Sequence, residues 1–463
     1  MRDKSKKKSG RDRSRPLIER VNPNAAGIDC GSGMHFVAVP RDRDPEPVRS
    51  FKTFTDDLER LADWLVRCGV KTVAMEATGV YWIPVFEIIE SRGIEAVLVN
   101  AQHVKNVPGR KSDVSDSEWL QELHSVGLLR GSFRPKAEIA ALRSYLRHRE
   151  TLIQTAATHL NRIEKALLQM NLQLHLVISD LAGLTGMRIL RDIVGGERDP
   201  KRLARHRDGR CKASEEEITS AMTGHYRPEH LFVLKQNLEL WDAIQKQIVS
   251  CDTEIENHIK ALTANLSPPI NPLPEPRLRK KARHNEPKFE IREPLHALSG
   301  VDLSQIDGIG PYTALRIIAE IGTDMSRWPT AAHFTSWLTL APKNRVSGGK
   351  LLSSRTQPSV NRAAAILRMT AMTLGRTQTA LGAFYRRLAF RVGKAKAITA
   401  TARKLGLLVF RCLKGEIVYK DPGAASYDQA NKESVLRRLR SRAENLGFSL
   451  VSNETGQILE GVS

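Results

Sequence analysis

Short apolar runs and stretches of helical periodicity alternate along the first third of the chain. Two apolar runs flank a Gly-rich turn in residues 25–40, AAGIDCGSGMHFVAVP, and this pattern predicts a β-hairpin. Further strands are predicted within residues 71–80 and 93–101, where apolar side chains dominate. Helices are predicted around residues 55–68 and 81–91. Alternating strands and helices predict an α/β domain built on a mixed sheet.

Near residue 139 the apolar residues begin to recur in steps of three and four, which predicts a long helix. Its apolar positions are Ile139, Leu142, Leu146, Ile153, Ala156, Leu160, Ile163 and Leu167. A second set with similar spacing consists of Leu234, Leu238, Trp241, Ile244, Ile248, Ile255 and Ile259. Both sets have the seam typical of a coiled coil, which Arg149 interrupts in the first. An antiparallel pair within one chain and a dimer of two chains fit this pattern equally well.

The later part of the chain divides by composition. Residues 267–287 contain six prolines and a basic cluster, which excludes regular structure and predicts a linker. Residues 300–415 have Ala, Leu and Arg at helical spacing and no convincing strand, and residues 420–463 predict a loose tail. The predicted segments are a basic disordered arm (1–22), an α/β domain (23–133), a helical coiled-coil region with an insertion (134–266), a Pro-rich basic linker (267–290), an all-α domain (291–418) and a polar tail (419–463).

The charge balance indicates a class of partner. The 463 residues include 72 Lys and Arg against 51 Asp and Glu, a formal net charge of +21. Such an excess attracts polyanions, so nucleic acid is the leading partner and an anionic membrane is the competitor. No run of 18 apolar residues occurs, and the N-terminus lacks the apolar core of a secretory signal. We therefore expect a soluble, cytoplasmic protein with no membrane partner.

Carboxylates rather than cysteines provide the candidate metal ligands. The five cysteines form no CxxC pair, but Asp29 and Glu76 each interrupt an apolar strand, where an unpaired carboxylate is costly. Asp113 and Asp116 are three residues apart, which places them on one face if they are helical. Four hard oxygen ligands in one α/β unit suit one or two Mg²⁺ (or Mn²⁺) ions, which can polarise a phosphodiester.

An ordinary helix start also explains the second pair of acids. Ser115 and Glu118 have the spacing of a capping box, and acidic residues are favoured in a first helical turn. In that interpretation the helix starts near Ser115, and Asp113 lies just before it.

Two glycine-containing segments of the C-terminal region predict contacts with phosphate. Gly308 and Gly310 flank a turn between helical segments, which predicts a helix-hairpin-helix whose backbone N–H groups hold a phosphate. A plain αα-hairpin with a glycine turn fits the same residues. Residues 344–355, NRVSGGKLLSSR, predict a mobile basic loop that carries Arg345 and Lys350.

A basic stretch follows, without a balancing set of acids, and it predicts a phosphate-binding surface. Its cations are Arg362, Arg368, Arg376, Arg386, Arg387, Arg391, Lys394, Lys396, Arg403, Lys404, Arg411 and Lys414. Aromatic residues are only 5% of the chain, which argues against base stacking as the main mode of nucleic-acid binding.

The order of three motifs, GIDCGSG, MEATGVYW and KSDVSD, resembles the RuvC-like DEDD domain of the insertion sequence 110 family of transposases. Between 304 and 375, the segments IDGIGPYTALRIIAEIG, FTSWLTLAPKNRVSGGK and RAAAILRMTAM are similar to the family's C-terminal transposase domain. The resemblance implies an RNase H fold for the first domain. It also implies that a metal-binding tetrad is formed by Asp29, Glu76, Asp113 and Asp116.

The same resemblance singles out Ser347, because its SGG takes the place of the family's catalytic serine. It implies a composite active site in which Ser347 attacks DNA and forms a covalent phosphoserine beside the metal. The two halves of that site would come from different protomers, so the coiled coil would hold a homo-oligomer together. Family members are guided by a structured RNA encoded by the element, and an enzyme of this kind would associate with the nucleoid.

Two other functions remain open at this point. A metal-dependent junction nuclease would keep the four acids but use water as the nucleophile, with Ser347 structural. A non-catalytic nucleic-acid-binding relic would keep only the basic surfaces. Ser353 and Ser354 are alternative nucleophiles within the same loop.

Overall fold

The chain forms two compact units, residues 1–134 and residues 135–463. The computed structural model describes residues 20–77, 79–99, 113–277, 285–358 and 360–451. Most of the predicted basic arm therefore lies outside the described residues. The finer division into six segments stays a prediction.

The first unit is built on a sheet of five strands in the order β3-β2-β1-β4-β5. The strands are β1 (Ala25–Cys30), β2 (Met34–Ala38), β3 (Val48–Lys52), β4 (Thr72–Glu76) and β5 (Glu95–Val99). β2 is antiparallel to both β1 and β3, whereas β1, β4 and β5 run parallel to one another. The predicted mixed α/β architecture is confirmed, including the hairpin of β1 and β2. The sequence pattern did not predict β3.

Helices cover both faces of this sheet. They are α1 (Thr55–Arg67), α2 (Trp82–Ser91) and α3 (Asp113–Ser125). Along α1, Leu58, Leu61 and Leu65 recur at helical spacing and are buried with the side chains of α2 against one face. On the other face, Leu120 of α3 packs with Ala74 of β4. All the strands and helices that the sequence pattern predicted in the first unit are present.

Two long helices of the second unit pack side by side in opposite directions. They are α4 (Ala137–Gln169) and α9 (Pro228–Thr263). The Nδ1 of His159 lies 2.9 Å from the Oδ1 of Asn237, and near the other end the Nε2 of His258 lies 2.9 Å from the carbonyl oxygen of Glu138. The apolar seams are therefore buried inside the chain, which answers the ambiguity of the sequence in favour of intramolecular pairing. Coiled-coil geometry and a dimer both stay predictions.

Arg149, which interrupts the first seam, is buried and fully engaged. It forms an ion pair with Asp252 of α9, and its Nη1 donates to the carbonyl oxygen of Asn285 at 2.9 Å and to Tyr312 Oη at 3.0 Å. A buried guanidinium is tolerated only when its donors find such partners. This position therefore ties the helix pair to Asn285 in the Pro-rich segment and to Tyr312 beyond it.

A small helical layer fills the segment between the two long helices. It consists of α5 (Leu174–Val177), α6 (Leu184–Val194), α7 (Pro200–Ala204) and α8 (Glu215–Ala221). Apolar side chains of this layer, such as Leu190 and Ile218, share one core with Ile163 of α4 and Leu234 of α9. Ser214 and Glu217 form a capping box at the start of α8, so the acidic run there belongs to a helix start.

In the described part of the chain, the remaining regular elements of the second unit are helices and one β-hairpin. Its elements are α10 (Arg292–Ser299), a 3₁₀ turn (Leu303–Gln305), α11 (Pro311–Ile321), α12 (Ala331–Trp337), β6 (Arg345–Ser347), β7 (Lys350–Ser353), α13 (Arg362–Leu374), α14 (Ala380–Val392), α15 (Lys394–Leu413) and α16 (Gly423–Glu444). The predicted helical domain is present, but the prediction of a region without strands is wrong. Gly348 and Gly349 both have positive φ, which is the backbone that a tight two-residue hairpin turn requires.

The prediction of a loose tail is wrong for most of residues 423–451. Helix α16 lies against α14, where the ring of Tyr427 makes an edge contact with Phe384 and its hydroxyl accepts from Arg387. None of the residues in α16 is buried, so the helix lacks the apolar face that sequence periodicity detects. None of the described helices combines the length and apolar character needed to cross a bilayer.

Candidate active site

The parallel pairing of β1 and β4 brings the first two candidate acids together. The last registered pair along these strands is Ile28 opposite Met75. Asp29 and Glu76 are the next residue on each strand, and they lie within β1 and β4. Neighbouring positions in a sheet share a face, so Asp29 and Glu76 lie side by side at the carboxyl edge.

Helix α3 crosses that same face antiparallel to β1. Gln121 Nε2 donates to the carbonyl oxygen of Ala25 at 3.2 Å, and His124 Nε2 lies 2.9 Å from Thr72 Oγ1. Ala25 and Thr72 begin β1 and β4, so the last turns of α3 lie over the starts of the strands. Its first turn therefore lies toward the carboxyl edge, where the strand acids are.

Gly27 allows α3 to approach the sheet closely. A Cβ at this position would collide with the backbone nitrogen of Gln121 and the carbonyl oxygen of Ser117, and would lie 2.9 Å from the Cβ of Leu120. Gly27 and Asp29 are two residues apart on one strand and so share the sheet face that α3 covers. The glycine fixes the height of the helix above the acids, a role that the sequence analysis missed.

The first turn of α3 carries the second pair of acids. Asp116 is half-buried and precedes Ser117, which is fully buried against the sheet. Asp113 is the first residue of α3, so Ser115 has helical backbone and does not occupy the N-cap position. The capping-box interpretation, in which the helix starts near Ser115, is therefore wrong. The side chain of Asp113 lies outside the described part of the structure.

The pKa of the Cys30 thiol reflects the negative charge at this edge. Burial, and after it the carboxylates of Asp29 and Glu76, together raise the pKa of this thiol to about 12. Both acids therefore lie close enough to influence one buried group. The thiol stays protonated, so it adds no charge to the site.

The donor chemistry of this edge fits a divalent cation. Asp29, Glu76 and Asp116 offer only carboxylate oxygens, which are the ligands that Mg²⁺ and Mn²⁺ prefer. Among the described side chains, no group of three or more His, Cys, Asp or Glu residues is close enough to hold a metal ion. The backbone of β1, β4 and the first turn of α3 places the four acids toward one edge of the sheet. Their assignment as metal ligands stays a prediction.

Ser347 lies on the exposed hairpin of the second unit. It is the last residue of β6, directly before the turn formed by Gly348 and Gly349, and it pairs in register with Lys350 of β7. Paired residues lie on the same face of a hairpin, so the ammonium group of Lys350 belongs to the same face as the serine hydroxyl. The exposed serine is open to a large substrate such as a nucleic acid backbone.

The other polar residues of the hairpin lie further from the turn. Arg345 begins β6 and pairs with Ser353, where the register shifts by a bulge. The Oγ of Ser353 accepts a long hydrogen bond from the backbone nitrogen of Arg355 at 3.4 Å. Ser354 is exposed and follows β7. Of the three candidate serines, only Ser347 adjoins the turn and faces a lysine.

Gly308 has a structural role before α11. Its φ is +79°, and a Cβ would lie 3.0 Å from Thr370 Cγ2 and 3.1 Å from Leu374 Cδ2 of α13. Gly310 is the N-cap of α11, with open space around its α-carbon. The helix-hairpin-helix and its phosphate contact stay predictions.

Several of the predicted nucleic-acid-binding cations are engaged within the second unit. Arg362 forms an ion pair with Glu150 at 3.2 Å. Arg386 donates to the carbonyl oxygens of Gly375 and Thr377, and Arg387 donates to the Tyr427 hydroxyl at 3.1 Å. Arg368 is half-buried on α13. These arginines are less available to phosphate than the sequence implied.

Two family models match the chain. Residues 26–172 match a model for the DEDD transposase of IS110 elements, described as Transposase, and residues 302–386 match one described as Transposase IS116/IS110/IS902 family. The first match contains all four acids, and the second contains the hairpin with Ser347. No curated protein matches the chain.

Proposed function

Because the chain belongs to the insertion sequence 110 (IS110) family of transposases, we propose that this DNA transposase exchanges strands through a serine nucleophile and a divalent metal. The proposed nucleophile is Ser347. The proposed metal ligands are Asp29, Glu76, Asp113 and Asp116.

One observation carries this proposal. The register of β1 and β4 puts Asp29 beside Glu76, and α3 brings its first turn, with two further acids, toward the same edge. Carboxylates gathered at a sheet edge repel one another unless a cation or a proton is shared between them. A DEDD transposase depends on divalent metal in general, and Mg²⁺ or Mn²⁺ is the identity that we propose.

When bound, the metal would supply Lewis-acid stabilisation of charge on the reacting phosphate. The chain's own residues do the rest. Ser347 Oγ loses its proton to solvent or a basic group and attacks the phosphorus, so that a new P–O bond forms. The P–O bond to the leaving strand breaks, and that strand's oxygen takes a proton and departs as a hydroxyl. The Lys350 ammonium, across the hairpin from Ser347, is positioned to hold a phosphate oxygen.

The covalent phosphoserine preserves the energy of the broken phosphodiester. A hydroxyl of another DNA strand then attacks the phosphorus, and the Ser347 oxygen leaves with a proton. One P–O bond is made for each one broken in both steps, so no nucleotide hydrolysis is required. Consistent with this, the chain contains no GxxxxGK[ST] phosphate-binding loop.

A denaturing trap tests the serine mechanism. The full-length protein is incubated with DNA carrying the ends of its own element and Mg²⁺, and the reaction is stopped in detergent. We expect a protein–DNA adduct with the wild type and with Ser353→Ala, and none with Ser347→Ala. DNA cleavage without any adduct in the wild type would instead support the junction nuclease that uses water.

A mixing experiment tests whether two protomers share one site. Asp29→Asn and Ser347→Ala are each inactive by our proposal, but a mixed oligomer would contain one intact set of acids and one intact serine. We expect strand exchange to return when the two variants are combined before DNA is added. Persistent inactivity, with mixed oligomers verified by differently tagged chains, would mean that both halves act within one chain.

We also propose that a structured RNA guides the enzyme to its target. The support is family membership together with the net charge of +21, which suits a second polyanion beside DNA. Sequencing of RNA that copurifies with the protein tests this directly. Recovery of one structured RNA encoded beside the gene is expected, and only fragments of abundant cellular RNA would contradict it.

A further inference from the structure

The last two helices before the tail, α14 and α15, form a hairpin with an exposed tip. α14 ends at Val392, α15 begins at Lys394, and the single residue between them, Gly393, has a φ of +87°. The Nζ of Lys404 on α15 lies 4.1 Å from the ring centre of Phe384 on α14, so the helices are still side by side about ten residues from the tip. All seven residues 390–396 at the tip are exposed.

An aromatic ring at this tip has no ring or cation partner among the residues that the structure describes. The side chain of Phe390 is 97% exposed, more than any other phenylalanine among the described residues. The surrounding backbone is regular, because Gly393 N donates to the carbonyl oxygen of Ala389 at 3.0 Å and Ala397 N donates to that of Gly393 at 3.1 Å. The ring is therefore held out from the protein on a defined backbone.

Positive charge surrounds the exposed ring. Arg391, Lys394 and Lys396 are exposed, and none of them forms an ion pair with a carboxylate of the described residues. No acidic residue occurs anywhere from 380 to 415. A solvated protein surface would ordinarily mix charges of both signs.

The direction of α15 adds to this charge. Its N-terminus carries the positive end of the helix dipole, yet the first turn contains two lysines and no acid. Such an arrangement costs stability in the free protein and is relieved when a polyanion approaches. Local conflict of this kind is expected at sites selected for binding.

We propose that the tip at residues 390–396 binds unpaired DNA. The ring of Phe390 stacks on an exposed base, while Arg391 and the two lysines contact the flanking phosphates. Aromatic stacking combined with a basic track is how proteins hold single strands without reading sequence. Strand exchange passes through DNA whose bases are not all paired, and the tip supplies a contact for that state.

This role is separate from the serine chemistry. It rests on DNA being the substrate and does not require Ser347 to be the nucleophile. It also qualifies the inference from composition, since a low aromatic content does not exclude one well-placed ring. The scarcity of exposed aromatic residues makes Phe390 more conspicuous.

Binding measurements on the full-length protein test the proposal. Fluorescence anisotropy would compare a single-stranded DNA, the same sequence as a fully paired duplex, and the corresponding single-stranded RNA. For Phe390→Ala, we expect about 5- to 100-fold weaker binding to single-stranded DNA and less than about twofold change for duplex. Phe390→Trp should retain binding, because its ring also stacks.

Two further variants sharpen the result. Phe232→Ala, which removes a 61% exposed ring among residues of mixed charge on α9, is the matched control and should bind like the wild type. The double variant Lys394→Gln and Lys396→Gln should weaken binding to both DNAs and lower the salt dependence by about 0.7–0.9 per lost phosphate contact.

Three outcomes would overturn the proposal. Equal loss on single strands and duplex would mean that Phe390 supports the fold rather than a base. Loss on RNA alone would assign the tip to another nucleic acid. Unchanged DNA binding together with loss of self-association in sedimentation would identify the tip as a contact between protein copies.

Discussion

Asp29 and Glu76 lie near the carboxyl ends of two buried strands, whereas Ser347 lies on an exposed two-stranded hairpin. The acids are positioned by register, by a helix across the sheet and by Gly27 beneath it, so the core of the first unit fixes their place. The serine is positioned by little more than a Gly-Gly turn and its pairing with Lys350. A metal site needs several ligands at fixed separation, whereas a nucleophile must reach a large substrate.

The largest expected effect is common to both regions. Asp29→Asn and Ser347→Ala should each lower the rate of strand exchange by about 10³-fold or more, because each removes a group that we assign to the reaction. The measurement is recombination between element ends on a plasmid, with the guide RNA supplied. Asp42→Asn, at an exposed acid of the same unit, is the control and should keep wild-type activity. Activity above about a tenth of wild type in either variant would remove that residue from the mechanism.

A glycine-to-alanine substitution should destabilise the two regions by different amounts. Gly27→Ala should lower the free energy of unfolding of the first unit by about 3 kcal/mol, since the new Cβ meets backbone atoms of α3 that cannot move alone. Gly348→Ala is the matched substitution on the hairpin. It has open space around it and φ of +53°, so the cost should be about 1 kcal/mol and local.

Hydrogen exchange followed by mass spectrometry measures each region separately, which matters because a chain of two units need not unfold in one step. Peptides from β1 and α3 should lose protection in Gly27→Ala, and peptides outside residues 345–353 should be unchanged in Gly348→Ala. Wild-type protection of α3 in Gly27→Ala would contradict the close approach of the helix to the sheet.

Metal binding should also distinguish the two regions. At a free Mn²⁺ concentration about 100 times its Kd, a ligand that binds only the folded state stabilises it by about 2.7 kcal/mol. We expect this stabilisation of the first unit in the wild type and in Ser347→Ala, and its loss in Asp29→Asn. Thermal unfolding with and without Mn²⁺ gives the comparison, with Ca²⁺ as a second cation. Equal stabilisation of Asp29→Asn would place the metal elsewhere.

Much of the fold followed from the sequence because its signals were local. Helices α4 and α9 have long apolar seams, interrupted in α4 by Arg149, and the strands of the first unit other than β3 are short apolar runs between turn residues. The hairpin of β6 and β7 was missed because both strands are exposed, so no apolar alternation marks them, although Gly-Gly is a known turn pair. Helix α16 was missed for a related reason, since it buries no side chain.

The candidate site was predictable in its members but not in its assembly. Acids that interrupt apolar strands are visible in the sequence, so Asp29 and Glu76 could be found there. Their adjacency depends on the register of two parallel strands whose paired residues, such as Ala25 and Thr72, are 47 positions apart in the sequence, and no spacing rule gives that register. The ion pair of Arg149 could not be predicted for a similar reason, because its partner Asp252 lies on a helix that is distant in the sequence.

The smallest expected effect is a pH dependence of the first unit. Burial lowers the pKa of His124, which packs against Thr72 beneath α3, and burial also lowers the pKa of His35 in β2. As pH falls below the ordinary value of 6.5, the unfolded chain takes up a proton that the folded imidazole resists. Stability is therefore fully present above pH 6.5 and decreases below it, by up to about 1.4 kcal/mol per pH unit for each histidine.

Hydrogen exchange of β4 and α3 peptides at pH 7.5 and 5.5, corrected for intrinsic exchange rates, should show this loss, and His124→Gln should reduce it. If the variant and the wild type lose the same stability between these pH values, His124 is not buried in its neutral form, and the packing of α3 on the strands that carry the acids must differ from the one described.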